Sequence, residues 1–227
     1  MFLLLLVGCA GTPVTTVEHR GVMREVMHDG KTQARAQLGE YAAANTFGVG
    51  ALAGLQGEIY IDDGVVLIAT GSPENVSLAG PDAAATLLTT ARVPSWREVV
   101  LDHDADLAAL EEVIAAAVRA ADRMEVEPVP FVVVGSARGL ALHVVRGACP
   151  HDEATPGSEP ARLAVEPPAT VRLVGFFAPG REGVMTHHGT ALHVHVLAQV
   201  APGRRAMGHL DEAVVLAGAK VLVPADR

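Results

Sequence analysis

The stretch that decides the fold is His187-His188-Gly189-Thr190-Ala191-Leu192-His193-Val194-His195-Val196-Leu197, continued by Gly208-His209-Leu210-Asp211. It holds five of the chain's ten histidines. The residues around His193 and His195 are apolar or favour strands. In a β-strand side chains alternate between faces, so residues i and i+2 point the same way. That places His193 and His195 side by side on one face, with Val194 on the other. Two imidazoles so placed are half a metal site. His209 follows a loop containing Ala201-Pro202-Gly203-Arg204-Arg205, and from the next strand of a hairpin it supplies the third. A metal needs neutral imidazoles on a rigid face, and three protein ligands leave a position open for water or substrate. His187 and His188 adjoin this group. Neighbours on an extended chain point oppositely, so at most one of them faces the metal.

Outward from this stretch the chain is mostly strands. Thr170 to Phe177 reads as a strand, followed by a turn from Ala178 to His188. Leu210 to Pro224 reads as two short strands around Ala217-Gly218. Val126 to Val134, with Pro128 and Pro130, reads as a strand ending at Gly135, and Leu140 to Arg146 as another. Residues 150–169, rich in Pro, Glu, Ala and Gly, read as a surface loop and a place where two sub-domains would divide. Asp104 to Arg123 is the clearest helix. Leu107, Leu110, Val113, Ile114, Ala117 and Val118 form one stripe, with Asp near the start and Arg near the end. Trp96 to Leu101 is strand-like. A second helix is expected in the later part of Val22 to Asn45, on Leu38 and Tyr41. Two apolar runs around Asp63-Gly64 give the strongest hairpin signal. Glu58 stands on the first of these strands. By alternation it shares a face with Tyr60, not with Ile59 and Ile61, which leaves its burial open. The expected class is α+β (mixed α/β), mostly antiparallel sheet, with a barrel-like C-terminal half and two main helices.

Lys and Arg number 17 against 26 Asp and Glu, a net charge of −9, which argues against a nucleic-acid or anionic-membrane surface binder. The N-terminal run ending Leu6-Val7-Gly8-Cys9 has the form of a bacterial lipobox, with Cys9 carrying the lipid. On that reading residues 1–19 are a signal and tether, residues 20–227 are the working domain, and the protein is exported and anchored in the envelope. If the signal is not functional, the protein is cytoplasmic. The run is too short to span a bilayer. The other cysteine, Cys149, reads as a small buried or half-buried side chain, and with Cys9 lipidated a disulfide framework is excluded.

Together these blocks resemble the α-acetolactate decarboxylases, over about Met27 to Pro224. The N-terminal similarity is the Asp29-Gly30 turn, the expected helix, and Phe47-Gly-Val-Gly-Ala-Leu-Ala-Gly-Leu-Gln-Gly-Glu58-Ile59, ending at Asp63-Gly64. The C-terminal similarity is Leu173-Val-Gly-Phe-Phe-Ala-Pro179, the His-x-His, and Gly208-His209 followed by an acidic residue. The resemblance implies a zinc lyase that converts 2-hydroxy-2-methyl-3-oxobutanoate to acetoin and carbon dioxide. It implies Zn2+, or another divalent transition metal, on His193, His195 and His209. It places Glu58 and an arginine, by position Arg146, at the site as catalytic residues. It also implies a small 2-hydroxy-3-oxo-acid substrate and pairing into a homodimer. His143 competes with Arg146, because their spacing puts them on opposite faces. The bland reading of Arg146 is a surface cation ending a strand.

The chain departs from the family in four places. Ala51 stands where a Thr is usual, and no glutamate follows Glu212. The loop between His195 and His209 is longer, and Met185-Thr-His-His-Gly189 replaces a short apolar stretch. The alternative readings are a non-catalytic metal-binding lipoprotein and a metal-dependent enzyme for another small oxo-acid.

Overall fold

The structure is a computed structural model that describes residues 14–121, 128–147 and 159–225. Cys9 and its lipobox, Cys149, Arg123, Val126 and residues 150–158 lie outside the described residues. In chain order the elements are β1 (Thr16–Arg20), α1 (Met23–His28), β2 (Ala36–Gln37), β3 (Thr46–Leu52), β4 (Glu58–Asp62), β5 (Val65–Ala69), β6 (Val76–Leu78), β7 (Ala84–Arg92), β8 (Trp96–Val100), β9 (Ala105–Asp106), α2 (Leu107–Ala120), β10 (Val129–Val144), β11 (Ala161–Val165), β12 (Ala169–Phe177), β13 (Leu192–Ala201), β14 (Arg204–Val215) and β15 (Lys220–Pro224). The strands form two sheets whose ladders are all antiparallel. With two α-helices among the described residues, the fold is α+β as expected.

The first sheet has the order β1-β7-β3-β4-β5-β6, with β2 on β7. Its β4–β5 hairpin turns at Asp63 (φ 48°) and Gly64 (φ 78°), the paired left-handed residues that a two-residue hairpin requires. The second sheet runs β8-β15-β10-β12-β13-β14-β9. Strand β10 also pairs with β14, which closes β10, β12, β13 and β14 into a ring, the barrel-like half. Helix α2 begins at Asp106, whose side chain accepts the Ala109 N–H. Its apolar stripe packs on one face of the second sheet, against Val194, Val196, Leu210 and their neighbours. The opposite face packs on the first sheet, where Phe47, Val49 and Tyr60 meet Val132, Val174, Phe176 and Met207. Phe176 is wholly buried there, so Phe176→Ala costs about 3–5 kcal/mol.

Four expectations are corrected. Leu38 and Tyr41 lie in one 3-10 turn, and the α-helix of this region is the earlier α1. Gly39 sits inside the expected stripe, and β2 takes Ala36 and Gln37 onto the sheet. Val129 to Val144 is one long strand rather than two, because Gly135 is extended and Gly139 (φ 58°) absorbs a register shift without ending the pairing. Ala161 to Val165, expected as loop, is β11, paired antiparallel with the end of β10 from Leu140 to Val144. Thr16 to Arg20, expected as tether, is a strand paired with β7. Among the described residues no helix is long and apolar enough to cross a membrane.

Candidate metal centre

The β13–β14 hairpin reverses through Pro202 and Gly203 and sets His195 directly opposite His209. His193 lies two residues along β13, opposite Phe176 of β12. Val194 and Val196 face the α2 core, so the histidine face of β13 looks toward the first sheet. Strand β10 brings His143 opposite His209 from the other side. That approach explains Gly208: a Cβ there would lie 2.3 Å from the His143 carbonyl oxygen. A glycine is therefore required for β14 to seat His209.

The three expected ligands come together. One ring nitrogen from each of His193, His195 and His209 lies within 4.8 Å of the others. Their ring centroids are 5.2 to 5.4 Å apart. His195 is fully buried, His193 nearly so, and His209 half-buried. Burial first, and then the neighbouring histidines, hold all three well below the usual imidazole range. They are neutral at pH 7, the state in which imidazole binds a metal. Nδ1 of His193 and both ring nitrogens of His195 have no hydrogen-bond partner among the described residues. Buried polar nitrogens left unpaired are costly. A cation shared among them relieves that cost, so these residues fit a divalent metal.

Glu58 reaches this cluster from the first sheet. Alternation on β4 puts Glu58, Tyr60 and Asp62 on the face turned to the second sheet. Tyr60 donates to the Arg172 carbonyl at 3.3 Å, and Arg172 donates twice to Asp62, at 2.5 and 2.8 Å. These contacts pin the strand that carries Glu58. Its Oε2 lies 3.6 Å from His195 Nε2, and its Oε1 accepts the Val145 N–H at 3.2 Å. Burial pushes the Glu58 carboxyl up to about 7, against the pull of His143 and the Val145 N–H. Ala51 lies directly across β3–β4 from Glu58 and packs beside Val145, offering no hydroxyl where the resemblance led one to expect a Thr.

Arg146 is placed differently. It follows the end of β10, and its Nε donates to the Glu159 carbonyl at 2.8 Å. It does not line the cavity beside the histidines; Arg162 of β11 and Arg24 of α1 do. That cavity, about 450 Å³, is also lined by His143, His187, His209 and Asp211. His143 Nδ1 lies 2.7 Å from Asp211 Oδ1, and Arg162 donates to Asp211 Oδ2 at 3.1 Å. An ionised carboxylate only accepts, so Nδ1 of His143 carries the hydrogen. Sequence reasoning missed Arg162, Arg24 and Asp211. One signal was available: Asp211 stands at i+2 from His209 and shares its face.

What the fold and these side chains define is a two-sheet α+β protein with a buried three-histidine centre and a carboxyl group at its edge. The same fold occurs in α-acetolactate decarboxylase from Bacillus subtilis strain 168, at TM-score 0.71 and 15% identity, covering 91% of this chain and 84% of that one. It occurs in acetolactate decarboxylase from Bacillus subtilis subspecies spizizenii, at TM-score 0.68 and 15% identity, covering 92% and 85%. A Staphylococcus aureus protein of unknown function, described as similar to α-acetolactate decarboxylase, matches at TM-score 0.66 and 15% identity, covering 91% and 84%. No known family profile and no curated protein matches the sequence.

Proposed function

We propose that this protein is a metal-dependent decarboxylase acting on 2-acetolactate, with His193, His195 and His209 as metal ligands and Glu58 as the proton-handling group. One observation carries the reading: three neutral imidazoles, two buried and one half-buried, converge within 4.8 Å, and a carboxyl oxygen from the other sheet lies 3.6 Å from one of them. The shared fold supports it.

A divalent metal held there supplies Lewis acidity to the ketone and hydroxyl oxygens of the substrate. The residues do the rest. Arg162 and Arg24, at the cavity wall, attract and orient the substrate carboxylate. His143, with its Nδ1 hydrogen committed to Asp211, turns its other ring nitrogen to the remaining polar groups of the substrate. The apolar contact between the sheets keeps water from Glu58. When the bond to the carboxylate breaks, carbon dioxide leaves and a proton must reach carbon. Glu58, whose carboxyl pKa is raised by burial in the metal-free protein, is placed to deliver it.

The test is acetoin formation from racemic acetolactate, followed for zinc-loaded and chelator-stripped protein against the spontaneous reaction. The proposal expects acetoin above the spontaneous rate only with metal. Stoichiometric zinc without acetoin would defeat the lyase reading. It would favour a metal-dependent enzyme for another small oxo-acid, which the placement of Arg162 rather than Arg146 at the cavity also supports. The lipobox adds an envelope location to this proposal. Radiolabelled palmitate incorporated by the wild type and not by Cys9→Ser tests that part.

A further inference from the structure

The Thr186-His187-His188-Gly189 turn has no part in the reaction as described so far. His187 is half-buried and His188 exposed, so the turn directs one imidazole inward. The His187 ring stands 5.2 Å from the His209 ring, edge to face, within the spacing found among the three strand histidines. A second cavity of about 330 Å³, beside Glu111 and Thr190, lies next to the first, and the residues common to both are His187, His209 and Asp211. His187 therefore stands where the two cavities meet, beside His209.

We infer that His187 is a fourth protein ligand of the metal in the substrate-free protein, and that it gives way when substrate binds. The inference rests on the metal reading above. The turn is fastened at both ends. Met23 and Arg24 donate their N–H groups to Val184 and Gly183, while Thr190 and Ala191 donate to the Glu111 carboxylate at 2.7 and 3.1 Å. These fastenings hold His187 beside His209. Between them the segment belongs to no strand, and Gly189 (φ 89°) adjoins it. His195 and His209 are fixed by ladders on both sides and His193 by the ladder to β12, so the loop ligand is the one that can leave. A substrate offering two oxygens needs such a vacated position, since a centre closed by four protein ligands is inert. The His143 ring is slightly nearer His209, at 5.0 Å, but its Nδ1 is tied to Asp211 and, of the two cavities, it lines the first alone.

The experiment uses the full chain loaded with Co2+, read by visible absorption and by competition with a chelator. The wild type should show the intense bands of four-coordinate cobalt, weakened by adding 2-hydroxy-2-methylpropanoate, an unreactive hydroxy acid. His187→Ala should lose that intensity and bind cobalt at least roughly tenfold more weakly, the smallest loss seen when groups around a metal site are removed. Free imidazole should restore the bands, which a merely structural role for His187 would not allow. His188→Ala should match the wild type. An unchanged spectrum and affinity in His187→Ala would overturn the inference, as would the same loss in His188→Ala. If His187→Ala does not fold, the response of the wild type to the hydroxy acid decides, and undiminished bands at saturation count against displacement. A wild type that binds no cobalt would defeat the metal reading itself.

Discussion

Glu58 and Asp211 are carboxylates on opposite flanks of the same three histidines, one from each sheet, and they are held in different ways. Glu58 sits in the dry contact between the sheets, with one backbone N–H and a neutral imidazole for company. Asp211 stands at the cavity wall between the His143 ring and the Arg162 guanidinium. Burial without a cation raises Glu58 to about 7, where it can hold or release a proton. Two donors on Asp211 make it an acceptor that orients others. The difference shows that the same functional group takes opposite characters according to whether burial or paired donors dominate its surroundings.

The histidines on which both carboxylates depend give the largest expected effect. At free zinc a thousandfold above Kd, the wild type gains about 4 kcal/mol of stability, and His195→Ala forfeits it. Thermal unfolding with and without zinc reads this directly, and acetoin formation should fall to the spontaneous rate. A His195→Ala variant still stabilised by zinc would refute the ligand set. Next comes the division between the carboxylates. Glu58→Gln should lower kcat by about 10²–10⁴ with zinc content intact. Asp211→Asn, acting at a partly exposed ion pair worth about 1 kcal/mol or less, should change KM by less than about tenfold. Equal losses in the two variants would erase the contrast.

Gly208→Ala should fall between the Glu58 and Asp211 variants. The added methyl meets the His143 carbonyl oxygen at 2.3 Å, so β10 and β14 must part. A loss of about 1–3 kcal/mol in denaturant unfolding is expected, with weaker zinc binding because His209 shifts. Without metal, the pH dependence of stability separates the buried groups as well. The three histidines are lowered in the folded state from 6.5, so the unfolded chain takes up more protons below that pH and stability falls on acidification. Glu58, raised from 4.5 to about 7, works the other way: its contribution is present at low pH and lost as pH rises to about 7. Glu58→Gln removes this opposition. The acid loss should steepen by about one proton, ~1.4 kcal/mol per pH unit, in the range between those values. An unaltered slope would mean that Glu58 is not raised.

The legible parts of the molecule were those whose signal is local. The Asp63-Gly64 turn, the α2 stripe and the alternation about His193 and His195 are each complete within a short window. Glu58 could be placed on its face by alternation, but its burial depended on the second sheet arriving over Tyr60 and Asp62. The wall of His143, Asp211 and Arg162 draws on β10, β14 and β11, and no local spacing reports that β10 pairs with both of the others. Arg146 was chosen by its distance along the chain, while Arg162 reaches the cavity from a strand whose residues read as loop. Strand β7, Ala- and Thr-rich, lacked the bulky residues that advertise a strand, and β3 comes close to it at Gly50, where a Cβ would lie 2.1 Å from the Leu87 carbonyl oxygen.

The central claim is that His193, His195 and His209 hold a metal. X-ray absorption at the zinc edge of the loaded full-length protein tests it most directly. The account predicts nitrogen scatterers at roughly 2.0–2.1 Å, with the outer-shell pattern of at least three imidazoles. A first shell of oxygens without imidazole scattering, or sulfur at about 2.3 Å, would contradict it.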